Sequence, residues 1–124
     1  MTIVTAAEAP LFEVQPGVAI TGFGAPSRGA AEVCTWQLRV EPGTLSGAHL
    51  LDADETFIIL SGSLCVTPGG SPVEAGGVVT VSAGQHIQVS NPGEVAAEAV
   101  VAIRAGFTAI MTDGTRVGTP PWAL

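Results

Sequence analysis

Few residues in this chain can do chemistry, and most of those that can fall close together. One of the two histidines, His49, lies in the segment GTLSGAHLLDADETFIILSG, residues 43–62, together with Asp52, Asp54 and Glu55. The segment reads as a strand bearing His49, a tight acidic turn, and a second strand opening with Glu55 and running through Phe57 and Ile59. A hairpin of this kind can turn His49 and Glu55 onto one face. An imidazole and a carboxylate converging on an apolar cavity can ligate a metal or work as an acid–base pair. The alternative is a structural histidine held by hydrogen bonds. Asp52 and Asp54 read as the solvated turn. The two cysteines, Cys34 and Cys65, sit in apolar runs without Cys-x-x-Cys or zinc-type spacing, and read as buried free thiols.

The composition narrows what such a pair could serve. The chain has 124 residues, 47% of them hydrophobic and only 12% charged, about half the usual ~25%. Disorder needs the opposite balance. The net charge is −7, with four Arg and no Lys, so a basic footprint for nucleic acid or anionic lipid is missing. The most apolar stretch, 94–111, is interrupted by Glu98 and Arg104, too soon for a membrane span. The N-terminus lacks the cationic start and apolar core of a signal peptide, so a cytoplasmic location is expected.

The elements that must position His49 and Glu55 are strands. Turn signals such as Pro16-Gly17, Pro42-Gly43, Ser61-Gly62 and Asn91-Pro92-Gly93 recur along the chain. Runs rich in Val, Ile, Thr and Phe lie between them, the rhythm of an all-β sandwich or barrel. Strands are expected at 18–23, 32–40, 48–51, 55–60, 63–67, 72–74, 78–81, 85–90, 96–104 and 107–111. Cys34, Trp36, Leu38 and Val40 share one face of their strand. The Ala-rich run 94–104 also suits a helix, but its flanking turns and strand-rich context favour a strand. The C-terminal Pro-Pro-Trp segment is expected to be extended, pinned to the body by Trp122.

These residues resemble the cupins. The first cupin motif, G-x5-H-x-H-x3-E-x6-G, is matched by Gly43, His49, Glu55 and Gly62, with Leu51 at the second His position. The second, G-x5-P-x-G-x2-H-x3-N, is matched by Gly76, Gly84 and Asn91, with Ser82 in place of Pro and Ile87 in place of His. The resemblance implies one cupin domain over 1–124, a double-stranded β-helix or jelly-roll barrel with its ligand site inside. It also implies a metal held by three His and one Glu, of which this chain keeps His49 and Glu55. His86 is one residue out of register and should point away from Ile87. Two ligands are too few for a tight metal site, so no cofactor is expected, with a divalent metal on His49 and Glu55 as the alternative.

The barrel interior should be lined by His49, Leu51, Glu55, Phe57, Ile87 and Val89, with Trp36. This suits a small apolar or neutral molecule better than a sugar nucleotide, since there is no Lys or Tyr and the four Arg are scattered. Three readings follow. One is metal-independent isomerase, cyclase or lyase chemistry, with Glu55 raised in pKa by burial and His49 shuttling protons. Another is a non-catalytic binding or sensing module in which His49 and Glu55 satisfy each other. A third is an oxygenase with a weakly held metal. Strands 96–104 and 107–111 are apolar on both alternating faces, so a homodimer is expected unless the N-terminal strand or the tail covers the outer side.

Overall fold

The computed structural model describes residues 1–124. The chain forms eleven strands: β1 (Leu11–Gln15), β2 (Val18–Gly22), β3 (Val33–Val40), β4 (His49–Leu51), β5 (Glu55–Ser61), β6 (Ser63–Leu64), β7 (Val73–Glu74), β8 (Val78–Val81), β9 (Ala97–Arg104), β10 (Ala109–Met111) and β11 (Arg116–Gly118). Two single-turn 3-10 helices sit at Pro26–Arg28 and Pro121–Ala123. No helix is long and apolar enough to cross a membrane.

Two layers enclose one core. The larger sheet is antiparallel in the order β1-β2-β3-β9-β5-β8. The second layer runs β11-β10-β4 and continues through the bridges His49↔Ile87 and Cys65↔Ser90 towards the β6–β7 pair. The core contains Val18, Ile20, Trp36, Leu38, Phe57, Val101 and Ile103 from the large sheet, against Leu51, Ile87, Val89 and Phe107. Alternation puts them there: β3 and β9 bury every second residue.

The Ala-rich run is a strand, and a central one. β9 lies between β3 and β5, with Ala97, Ala99, Val101 and Ile103 buried on its inner face. Its hydrogen bonds to both neighbours override the helical propensity of alanine. Four expectations need correction. The strands bearing His49 and Glu55 do not form a hairpin: β4 pairs with β10 and β5 with β8 and β9, so the acidic turn carries the chain from one layer to the other. β1 and β11 were not anticipated, because each is short and mostly exposed and depends on a neighbour for its form. Residues 85–90 form isolated bridges rather than a continuous strand. The tail is extended only at Pro120 and then closes into the 3-10 turn Pro121–Ala123.

Trp122 does pin the tail. Its ring packs edge-on to Phe12 and Trp36, each at 6.2 Å, and its carbonyl accepts a 2.7 Å hydrogen bond from Arg28 Nη2. Cys34 and Cys65 are both buried and free. Gly62 explains its own motif position. Its φ is +68°, and a Cβ there would come within 2.6 Å of the Ala96 carbonyl oxygen.

The outer face of the large sheet stays uncovered by this chain. Gln37, Val100, Ile58 and Val78 lie in one row across it, with Leu60 beside them. β1 lies at the opposite edge, and the tail packs on Trp36, on the inner side.

Candidate functional site

A cavity of about 330 Å³ lies between the two layers. Trp36, His49, Leu51, Glu55, Phe57, Ile87 and Val89 all stand around it. Val14, Gly47, Met111 and Val117 line it as well and are exposed, which places the opening there.

Glu55 opens β5, opposite Ile103 on one side and Val81 on the other. It is 4% exposed, and its Oε2 has no hydrogen-bond partner. An ionised carboxylate in such surroundings loses its hydration without compensation. Burial therefore pushes the pKa up to about 8, and Glu55 is a neutral acid at pH 7.

His49 opens β4, and its backbone exchanges two hydrogen bonds with Ile87, of 3.0 and 2.7 Å. Its ring is half-buried, with Nδ1 3.4 Å from the Gly47 carbonyl oxygen. Burial lowers its pKa below the ordinary 6.5, so the imidazole is neutral at pH 7. The two side chains line one cavity, but no hydrogen bond or ion pair joins them. The expectation that they satisfy each other is thus corrected. Each faces an apolar space with its own protonation state, an acid and a base held apart.

The remaining motif positions sort clearly. Ile87 is 2% exposed on the cavity wall, whereas His86 is exposed outside it, as the register requires. Leu51 is buried beside His49. Asn91 is buried and structural: its Nδ2 donates to the carbonyls of Val40 and Val95, and its Oδ1 accepts from the Gly93 amide, each at 2.9 Å.

The acidic turn does more than meet solvent. Asp52 Oδ1 accepts a 2.7 Å hydrogen bond from the Thr108 amide, and the carboxylate lies 3.8 Å from Arg104 and 3.6 Å from Arg116. Asp54 Oδ1 accepts one of 2.8 Å from the Ala83 amide. Both aspartates tie the turn between β4 and β5 to neighbouring segments. The arginines are also less scattered than expected, since two of them meet at Asp52.

Sequence reasoning missed part of the wall. Ile20 and Leu38 follow from extending the strand alternation, since they pair in register on the inner face. Phe107 and Trp122 have no such local signal. They form an aromatic wall with Trp36, Phe107 at 6.1 Å and Trp122 at 6.2 Å, assembled only when the tail docks.

The metal implied by the resemblance does not fit the donors present. Leu51 and Ile87 supply none, and nowhere do three or more His, Cys, Asp or Glu side chains converge.

The two-layered antiparallel barrel, with its site inside, is a cupin fold. No family model and no curated protein matches the chain by sequence. Solved structures do match in fold. An RmlC-like cupin from Ralstonia eutropha JMP134 superposes with a TM-score of 0.73 at 13% identity, over 97% of this chain and 78% of that one. An acetylacetone dioxygenase from Acinetobacter johnsonii gives 0.73 at 14% identity, over 98% and 85%. The polyketide cyclase RemF from Streptomyces resistomycificus gives 0.70 at 16% identity, over 84% and 79%.

Proposed function

We propose that the chain is a small-molecule cupin that moves protons on a neutral carbonyl compound without a metal. The observation that carries this is Glu55, a buried carboxyl with an unpartnered oxygen and a pKa of about 8, in the same cavity as a neutral imidazole. Environments that push an acid up and a base down assign the roles. Glu55 gives its proton to the carbonyl oxygen while His49 takes a proton from the adjacent carbon. The C–H electron pair becomes the C=C bond of an enol. Reversal with delivery to a different carbon is isomerisation; loss of a leaving group or attack on a second carbonyl gives a lyase or a cyclase. That a polyketide cyclase shares the fold is compatible with this reading.

The test follows deuterium entry next to the carbonyl of cyclic ketones in D2O, by NMR. The native protein should catalyse exchange. Glu55→Gln should lose it and still bind the same ketones, as read by the fluorescence of Trp36 and Trp122. Equal exchange in both proteins would reject the chemistry. Ligand binding with no exchange in the native protein would favour the sensing module.

We also propose that the chain forms a homodimer through the outer face of the large sheet. The row Val100, Ile58 and Val78 would meet its copy in a second chain. Sedimentation of the native protein at micromolar concentration should give a dimer, and Val78→Glu with Ile58→Glu a monomer; a monomeric native protein would reject it.

A further inference from the structure

His49 and Met111 are partners across the β4–β10 ladder, and the next pair on the same face is Leu51 and Ala109. All four line the cavity, whereas Leu50 and Ile110 between them do not. Alternation thus puts the Met111 side chain on the same face as the imidazole. Exposure grades along this face, with Leu51 at 4% and Met111 at 40%. The His49–Met111 pair therefore stands at the mouth, and Leu51–Ala109 lies deeper in.

The ladder also fixes how close the two side chains come. His49 exchanges both of its backbone hydrogen bonds with Ile87, and the Met111 amide donates to the Thr115 carbonyl. His49 and Met111 are therefore a non-hydrogen-bonded pair, the closer kind, with Cβ atoms roughly 4.5–5.5 Å apart. A methionine spans that gap, and a thioether settles favourably ~5 Å from a ring.

We infer that Met111 is the specificity-determining side chain of the cavity: it shields the His49 imidazole at the mouth and sets how broad a carbonyl compound reaches it. This rests on the proposed reading of the cavity as a site for a carbonyl compound, but not on the proton transfer proposed there.

Packing does not demand methionine at this place. Met111 ends β10 and stands outside the buried core. Deeper in, Leu51, Phe57 and Ile87 belong to that core and have little room to yield. At the rim, Val14 and Val117 are exposed like Met111, but they are short and branched. Met111 alone among these three is unbranched, with three rotatable bonds, so it can cover the imidazole and swing aside. An apolar neighbour across the ladder also agrees with the desolvation that lowers the pKa of His49.

The test uses the whole chain and two cyclic ketones of different breadth, cyclohexanone and 2-adamantanone, with binding read by the fluorescence of Trp36 and Trp122. Met111→Ala should shift the preference towards 2-adamantanone by roughly tenfold, the low end of what one methylene is worth in an apolar pocket. Met111→Leu, similar in volume, should leave it nearly unchanged, and Met111→Phe should shift it towards cyclohexanone. These two variants keep the test open if alanine loosens the rim. A second readout needs no ketone. Diethyl pyrocarbonate should acylate His49 several-fold faster in Met111→Ala, with the exposed His86 as the reference. Neither readout involves deuterium exchange. Ketones that bind with the same preference in every variant would overturn Met111 as the selector and leave the cavity reading intact. An unchanged rate at His49 would overturn the shield. Binding of neither ketone to the native protein at millimolar concentration would reject the cavity as a carbonyl site, and the selector with it.

Discussion

Glu55 lies directly across the sheet from Ile103, and Val81 flanks it on the other side. A carboxyl between two buried aliphatic side chains keeps its proton to about pH 8, against an ordinary 4.5. That proton makes the stability of the fold depend on pH.

Between pH 4.5 and 8 the folded chain holds a proton at Glu55 that the unfolded chain has released. Stability is therefore full below 4.5, falls as pH rises, and is flat again above 8. At about 1.4 kcal/mol per pH unit, the loss is on the order of 4–5 kcal/mol. Glu55→Gln removes this dependence. His49 acts oppositely, lowering stability below its ordinary 6.5, but it does so in both proteins and cancels in the comparison. Urea unfolding at pH 5 and pH 8.5 should show the variant gaining several kcal/mol relative to the native protein at the higher pH. A constant difference would mean that Glu55 is ionised in the fold.

For the proposed proton exchange, the same two groups set the pH profile. Below the depressed pKa of His49 the base is protonated and the rate falls. Above about pH 8 the Glu55 acid is lost and it falls again. The rate–pH curve should be a bell with its upper limb near 8. His49→Gln and Glu55→Gln should each lower the rate by roughly 10²–10⁴-fold, the usual range for a positioned acid or base. NMR exchange rates from pH 5 to 9.5 check this. A rate that climbs steadily with pH would indicate plain hydroxide catalysis.

Much of this site was legible because it obeys a two-residue period. The motif spacing fixed Ile87 on the inside and His86 on the outside, and alternation placed Trp36 and Phe57 on the wall. What stayed hidden depended on contacts between distant segments. Trp122 reaches the cavity only because Arg28 and Phe12 hold the tail. Asp52 looked like a solvated turn residue because the Thr108 amide, Arg104 and Arg116 that engage it lie more than fifty residues away. The separation of His49 from Glu55 was equally invisible, since a shared face does not fix whether two side chains touch.

Leu51 and Ile87 fill the two motif positions where the resemblance implies histidine. Ile87 is 2% exposed on the wall, and the bridge between Ile87 and His49 sets their backbones side by side. The double variant Leu51→His, Ile87→His would then gather three imidazoles and Glu55 on one cavity. It should gain zinc binding detectable at micromolar concentration by calorimetry, while the native protein shows none in that range. Zinc binding also favours ionised Glu55, so its apparent pKa should fall in the loaded variant. No gain of binding would mean that the two side chains do not converge with His49 and Glu55.

Asn91 tests the other half of the motif, where the demand is structural. Its amide satisfies the carbonyls of Val40 and Val95, and its oxygen holds the Gly93 amide. Asn91→Ala leaves those three backbone groups without their partner at a site 1% exposed. Each unsatisfied buried group costs roughly 1–3 kcal/mol, and water entering the vacated space recovers part of it. A net loss of about 3 kcal/mol is expected in urea unfolding. Asn91→Asp keeps the acceptor for Gly93 but sets a carboxylate against two carbonyls, so it should be at least as damaging at pH 7 and partly rescued at pH 4, where the protonated acid can donate to one of them. A loss below about 1 kcal/mol for Asn91→Ala would show that the Val40, Val95 and Gly93 groups find other partners.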